Sequence, residues 1–292
     1  MIQTRIKIAK PDIVKHFDNL NQKVFKNKDI SKILSEQRGF WRLTKSMTNI
    51  KFVEFLTNET KLNRVVFSFE TGTKKVRYLW ESPTIYEVAS SLVPKGYFCH
   101  FTAMYLHKIT QQVPKTIYLN SELYERNIPN INLVQDEIDE AFAKPCKETN
   151  NITIYKDYRI CVLNGMFTGQ LGVIEIEDEK NRLPIRVTDL ERTLIDISVR
   201  PIYAGGVFEV LNAFRLALGK ISVNRLTAKL KKINYIYPYH QVIGFYLERA
   251  GYPESSLQLL KKFKIQYDFY LTHQMKRTDY SDRWRLYFPK GM

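Results

Sequence analysis

The run Val187-Thr188-Asp189-Leu190-Glu191-Arg192-Thr193-Leu194-Ile195-Asp196, followed by Arg200-Pro201-Ile202-Tyr203-Ala204-Gly205-Gly206, constrains this chain more than any other stretch. Thr188 is placed to cap a helix, and Glu191, three residues on, to reach back to the cap amide, the reciprocal arrangement of a capping box. The helix therefore starts near Asp189. At about 100° per residue, Leu190, Leu194 and Ile197 fall on one stripe, and Asp189, Arg192 and Asp196 share a narrow sector away from it. The spacing predicts core on one side and a charge cluster on the other. Pro201 and Gly205-Gly206 cannot continue the helix, and a glycine pair lets the backbone turn tightly. The plainest account of the cluster is a set of intrahelical ion pairs, each worth a few tenths of a kcal/mol.

Bulk properties decide which partners are plausible. The chain has 292 residues, 44% of them hydrophobic, and a formal charge of +15, a length that fits two modest domains. No stretch approaches the roughly 20 apolar residues needed to cross a bilayer, and the basic start Met1 to Lys7 is followed by no apolar run or cleavage site. A soluble, cytoplasmic protein is the expectation. Cys99, Cys146 and Cys161 are odd in number, and the histidines form no metal-ligand spacing, so neither a disulfide framework nor a metal or cofactor site is expected. Residues 1–80 hold 17 Lys or Arg against 7 Asp or Glu, +10 of the total +15. A local excess of that size attracts a polyanion through phosphate contacts and counterion release.

The order of elements sharpens that expectation. Three short helical patterns, at 11–20, 28–35 and 47–58, precede a hairpin pattern, 63–69 returning through 74–80. Ser46 is placed to cap the third helix. Three helices and a basic hairpin describe a winged helix-turn-helix, in which the third helix enters the major groove by its N-terminal end and the wing's cations meet phosphate. Contacts with double-stranded DNA are expected from Lys45, Ser46, Thr48, Asn49 and Lys51, and from Lys74, Lys75 and Arg77 in the wing. Asn49 suits adenine edges and Lys51 suits phosphate.

Trp80-Glu81-Ser82-Pro83 closes the first domain, and 81–292 reads as a larger α+β domain. Helical patterns at 84–92 and 99–107 lead into strands at 115–119, 152–155, 158–163, 173–177 and 184–187. Helices at 189–198, 206–218, 223–232, 239–250 and 255–263 follow, then two strand-like runs at 267–271 and 284–288.

Four segments of this second part resemble the AbiEi-type antitoxins of bacterial abortive-infection systems. They are Pro94-Lys95-Gly96-Tyr97-Phe98-Cys99-His100-Phe101-Thr102-Ala103; the box from Val187 to Asp196; Arg200-Pro201 with Tyr203-Ala204-Gly205-Gly206; and Ile243-Gly244-Phe245-Tyr246-Leu247-Glu248-Arg249-Ala250-Gly251. Arg283-Trp284-Arg285-Leu286 is similar as well. One departure is Cys99, where the family pattern places a serine cap; Thr102 is the alternative cap. The resemblance implies a two-domain type IV antitoxin. Its winged helix would bind promoter inverted repeats, as two copies on DNA, and repress its own operon. Its second domain would counteract a nucleotidyltransferase toxin without a stable complex, as a phage defence. It carries antitoxin function over to Asp189, Glu191, Arg192, Thr193 and Asp196, with Glu191 and Thr193 structural. Arg192 and Asp196 either organise the interior or contact nucleic acid or a partner.

Two other classes compete. Glu175, Glu177, Asp178 and Lys180 around a strand end echo half of a metal-dependent nuclease, but Glu179-Lys180-Asn181-Arg182 equally has the marks of a polar turn. No phosphate-cradling glycine loop is present, and no nucleophilic triad is legible, so catalysis is not expected. A DNA-binding regulator with a ligand-sensing second domain and no toxin is the remaining reading.

Overall fold

The computed structural model describes residues 5–125, 133–177 and 183–292. In chain order its elements are α1 (Arg5–Asn19), β1 (Val24–Phe25), α2 (Asn27–Gln37), α3 (Asn49–Glu59), β2 (Leu62–Ser68), β3 (Lys74–Trp80), α4 (Ile85–Leu92), β4 (Tyr97–Phe98), α5 (His100–Leu106), β5 (Thr116–Asn120) and α6 (Gln135–Ala143). Then come β6 (Ile152–Tyr155), β7 (Tyr158–Leu163), β8 (Val173–Glu177), β9 (Pro184–Thr188), α7 (Leu190–Val199), a 3-10 turn (Pro201–Ala204), α8 (Val207–Leu216), α9 (Val223–Ile233), α10 (Tyr239–Arg249), α11 (Glu254–Lys261), β10 (Phe269–Tyr270), β11 (Thr278–Ser281) and β12 (Leu286–Pro289). The fold class is α+β with mixed sheets. The chain divides into two compact units, one of 1–94 with 150–160 and 177–185, the other of 95–149, 161–176 and 186–292.

In the first unit, Ile6, Ala9, Ile13 and Phe17 make a buried stripe along α1. The helix thus starts two turns before the expected position, and Pro11 lies inside it. Phe17 stacks on Trp80 at 4.8 Å between ring centres, and the Trp80 indole N–H donates to Asp18 at 2.8 Å. These rings, with Phe25, Ile30, Leu34, Trp41, Phe52 and Leu56, form the core under α1, α2 and α3. The cap of α3 is Thr48, whose hydroxyl accepts from the Lys51 amide at 3.4 Å, not Ser46. Strands β2 and β3 pair antiparallel from Leu62 opposite Trp80 to Ser68 opposite Lys74, and β1 adds to the far side of β3. Opposite residues of an antiparallel pair share a face, so the pairing separates two sets. Leu62, Tyr78 and Trp80 face the helical core, whereas Phe67, Lys75 and Arg77 share the other side. Along that side lies β6, with the Thr153 hydroxyl donating to the Ser68 carbonyl at 2.9 Å and the Tyr155 ring 5.6 Å from Phe67.

In the second unit, β7, β5, β4, β9 and β8 are neighbours in that order. β4 runs antiparallel to β5 and parallel to β9. Helix α7 follows β9 directly and packs against α5, α8, α9 and α10. Every residue from Glu191 to Ser198 is buried, so the expected division into a core side and a charged side does not leave the charged side open: both are covered. A helix enclosed all round must satisfy its polar groups internally, and Thr193 does so by donating to the Thr188 carbonyl at 3.1 Å. The cap of α7 is Asp189, which accepts from the Arg192 amide at 2.8 Å, one residue later than the capping box placed it. Thr188 instead pairs its hydroxyl with that of Thr193. Gly172 makes this start possible, since its carbonyl accepts the Asp189 amide at 2.7 Å and a Cβ on it would sit 2.9 Å from that of Arg192. In α10, Gly244 leaves room for the Trp284 ring, which an added Cβ would meet at 2.2 Å. The last three strands form a small sheet in the order β10-β12-β11 beside the core of α7 to α11.

Candidate functional site

Each unit presents one surface worth testing. On the first, Lys45, Ser46, Thr48 and Lys51 are exposed at the start of α3, and Ile50 beside them is 71% exposed. Asn49 is half-buried, its amide donating to Asn27 at 2.9 Å, so its use by a base would require that bond to open. On the hairpin, Lys74 and Arg64 are exposed. Their positions on paired strands put them on one face. Lys75 and Arg77 have intramolecular partners instead. Arg77 is 8% exposed and donates to the Ser91 carbonyl at 2.6 Å and 3.2 Å, and Lys75 donates to the Leu92 carbonyl at 2.7 Å. Both cations thus hold the last carbonyls of α4, where the helix dipole is negative. The reason they differ from Lys74 is strand alternation: 75 and 77 share a side with Phe67, and α4 covers it.

On the second unit, the α7 charges divide into two groups. Asp189 accepts from Lys229 at 2.6 Å, and Glu191 accepts from the Ser222 amide at 3.1 Å and from Arg225 at 3.0 Å. Burial would raise the Glu191 pKa, but the Ser222 amide, Lys229 and Arg225 hold it below the ordinary glutamate value. These two carboxylates therefore fasten α7 to α9. Thr193 is internal. Arg192 and Asp196 lie elsewhere, with the guanidinium Nε donating to the carboxylate at 2.7 Å. Arg192 also donates to the Leu171 carbonyl at 2.7 Å and to Thr168 at 3.1 Å. Burial opposes its charge and Asp196 more than offsets this, so Arg192 stays cationic. Thr168 continues the network by donating to Glu122, which also accepts from Tyr97 at 2.9 Å.

The Arg192–Asp196 pair lines a cavity of about 630 Å³. Around it stand His100, Asn120, Arg200 and Tyr203, Tyr235 and Tyr237 from the segment joining α9 to α10, and Tyr239 at the start of α10. Lys147 and Glu148 are exposed where the cavity opens. His100 opens α5 in left-handed backbone, φ 49°, its ring edge-on to Tyr203 at 5.6 Å. Burial, then the charges of Arg192 and Arg200, lower its pKa to about 3, so the imidazole is neutral. Its Nδ1 is buried without a hydrogen-bond partner. Cys99 caps α5 with no side-chain bond, and Thr102 does not replace it, because its hydroxyl accepts from the Tyr118 amide at 2.8 Å. Sequence reasoning missed these tyrosines as a group, although Tyr235 and Tyr237 between the helical patterns at 223–232 and 239–250, with Tyr239 opening the second, make an aromatic density unusual for a loop. The carboxylates considered for a nuclease do not form a site: Glu175 and Glu177 are exposed on β8, and Asp178 and Lys180 lie outside the described residues. Among the described residues no cluster could hold a metal ion, and no helix is long and apolar enough to cross a membrane.

No family model matches the chain, and neither does any curated protein. Among solved structures, it is similar to the crystal structure of the RV2827C protein from Mycobacterium tuberculosis, with a TM-score of 0.62 over 96% of this chain and 91% of that one, at 13% sequence identity. At such identity the likeness bears on the fold alone.

Proposed function

We propose that this chain is an AbiEi-type antitoxin. Its first unit would be a winged helix-turn-helix that represses its own operon, and its second would counteract a nucleotidyltransferase toxin. One observation carries the reading. Of the segments that resemble the family, 94–103 and the distant, nearly continuous stretch of 187–196 with 200–206 contribute His100, Arg192 with Asp196, and Arg200 with Tyr203 to one cavity. The fourth segment supplies α10 and its glycine seat for Trp284, a packing role.

For the first unit, support comes from the exposed cationic start of α3 and the paired hairpin beside it. The contact set is Lys45, Ser46, Thr48, Lys51, Lys74 and Arg64, with Asn49 available once its bond to Asn27 opens. The test uses the full chain in two assays: binding to DNA from upstream of its own gene, and growth of cells expressing the nucleotidyltransferase that this reading requires to be encoded beside it. Specific retention of that DNA together with restored growth is the expected result. Failure to restore growth by a normally accumulating chain would remove the antitoxin assignment. The same cavity also favours a ligand-responsive regulator, for which DNA binding without protection is the signature.

A further inference from the structure

The cavity in the second unit has three properties that together specify a ligand. The first is an unmet hydrogen bond. His100 is 8% exposed and its Nδ1 has no partner; a buried polar nitrogen left so costs about 1–3 kcal/mol. The left-handed backbone at the same residue adds strain, and both are features that persist where a ligand is bound. The second is charge. Arg192 and Asp196 neutralise each other, leaving Lys147 and Arg200 against Glu148, a net positive opening. The third is aromatic surface. Tyr235 and Tyr237 are half-buried and line the cavity.

We propose that this cavity binds a nucleotide, its phosphate against Arg200 and Lys147 at the opening, its base against Tyr235 and Tyr237, and one hydrogen bond to His100 Nδ1, an atom closed to solvent that a turn of the ring brings to the cavity. The assignment rests on the reading of this cavity as the working site of the second unit. An inorganic anion would leave the tyrosines and most of the 630 Å³ unused. A purely apolar ligand would leave His100 unpaired and cover charges without compensation. A nucleotide uses all three, and stacking a base on an aromatic side chain is worth about 1–3 kcal/mol. The volume lies in the range of small-molecule sites. The same chemistry comes from a free nucleotide or from the terminal nucleotide of an RNA strand.

Isothermal titration of the purified full chain with each of the four ribonucleoside monophosphates and triphosphates, and with a single-stranded hexaribonucleotide, tests the assignment. Saturable binding of one per chain by at least one of these is expected. Arg200→Ala and His100→Asn, which keeps a side chain tolerant of left-handed backbone, should each weaken it about tenfold or more. Lys262→Ala, exposed just after α11, should leave it unchanged. Saturation by a free nucleotide assigns a small-molecule ligand, and binding of the hexaribonucleotide alone assigns a strand end; either upholds the site. Absence of binding at millimolar concentration throughout, or affinities indifferent to both substitutions, overturns it. Growth rescue separates the two claims. Nucleotide binding by a chain that does not protect removes the antitoxin assignment alone, and protection by a chain that binds no nucleotide removes the ligand alone.

Discussion

Replacing Arg192 by methionine should unfold much of the second unit's stability, and pairing that change with Asp196→Leu should restore most of it. Arg192 is the ion-pair partner of Asp196, which is 6% exposed, and breaking a buried pair by removing one member costs about 3–5 kcal/mol. The Leu171 carbonyl loses its donor as well, about 1–3 kcal/mol more. The single variant should thus lose about 4–8 kcal/mol, a large share of the 5–15 kcal/mol typical of a domain. The double variant has no orphaned charge, and apolar replacements of a buried pair are often neutral. Urea unfolding read by tryptophan fluorescence resolves this, because Trp284 lies in the second unit and Trp41 and Trp80 in the first. With a slope of about 1–3 kcal/mol per molar, the single variant's Trp284 midpoint should fall by more than about 1.3 M. The gap should narrow in acid: burial raises the Asp196 pKa, so once Arg192 is gone the folded state takes up that proton before the unfolded chain does. A single variant as stable as the parent, or a double variant as unstable as the single, would refute the reasoning. The double variant then asks the functional question, since it folds without the cavity's buried ion pair.

Three further outcomes are expected. Burial lowers the pKa of His100 to about 3 and of His240 to about 4, against about 6.5 when unfolded, so the unfolded chain binds protons first and stability is lost as pH falls below 6.5 towards those values. At pH 5 each group accounts for about 2 kcal/mol, and denaturation at pH 7 and pH 5 measures it; a His240→Phe chain as acid-sensitive as the parent would contradict this. Gly244→Ala should destabilise by about 1–3 kcal/mol despite alanine's better helix propensity, because Trp284, pinned to Glu248 at 2.6 Å, cannot yield the 2.2 Å approach; a raised melting temperature would show that it can. Arg64→Ala with Lys74→Ala should reduce the salt dependence of operator binding by about two units of slope, whereas an unchanged slope places the hairpin outside the interface.

The features legible in the sequence were those whose signal is local. The strands β2 and β3, the end of α4 before Pro94, and the alternation from strands to helices after 188 all follow from side-chain period and turn chemistry. Short pieces escaped. β1 and β4 are two residues each and exist by pairing alone, and α6 buries only Ile138 and Phe142 within an acidic stretch. The caps at Thr48 and Asp189 slipped from Ser46 and Thr188 because neighbouring residues of one chemical type offer equal local choices, and tertiary contacts decide between them. Arg77 and Lys75 were separable from Lys74 by parity, but which side of the hairpin α4 covers is a non-local fact. At the candidate site, Arg192 and Asp196 were found by helical spacing. Their separation from Asp189 and Glu191 depended on where α9 lies, and no periodicity reports that.

The enclosure of α7 has a genetic consequence. A segment without a solvent-facing position has no silent sites, so a random-mutagenesis screen scored on survival would return alleles in 191–198 first, many of them temperature-sensitive. Most of these would be lesions of accumulation. The informative clones are those whose protein reaches parental levels and still fails, and the pair at 192 and 196, changed together, is where such clones should be sought.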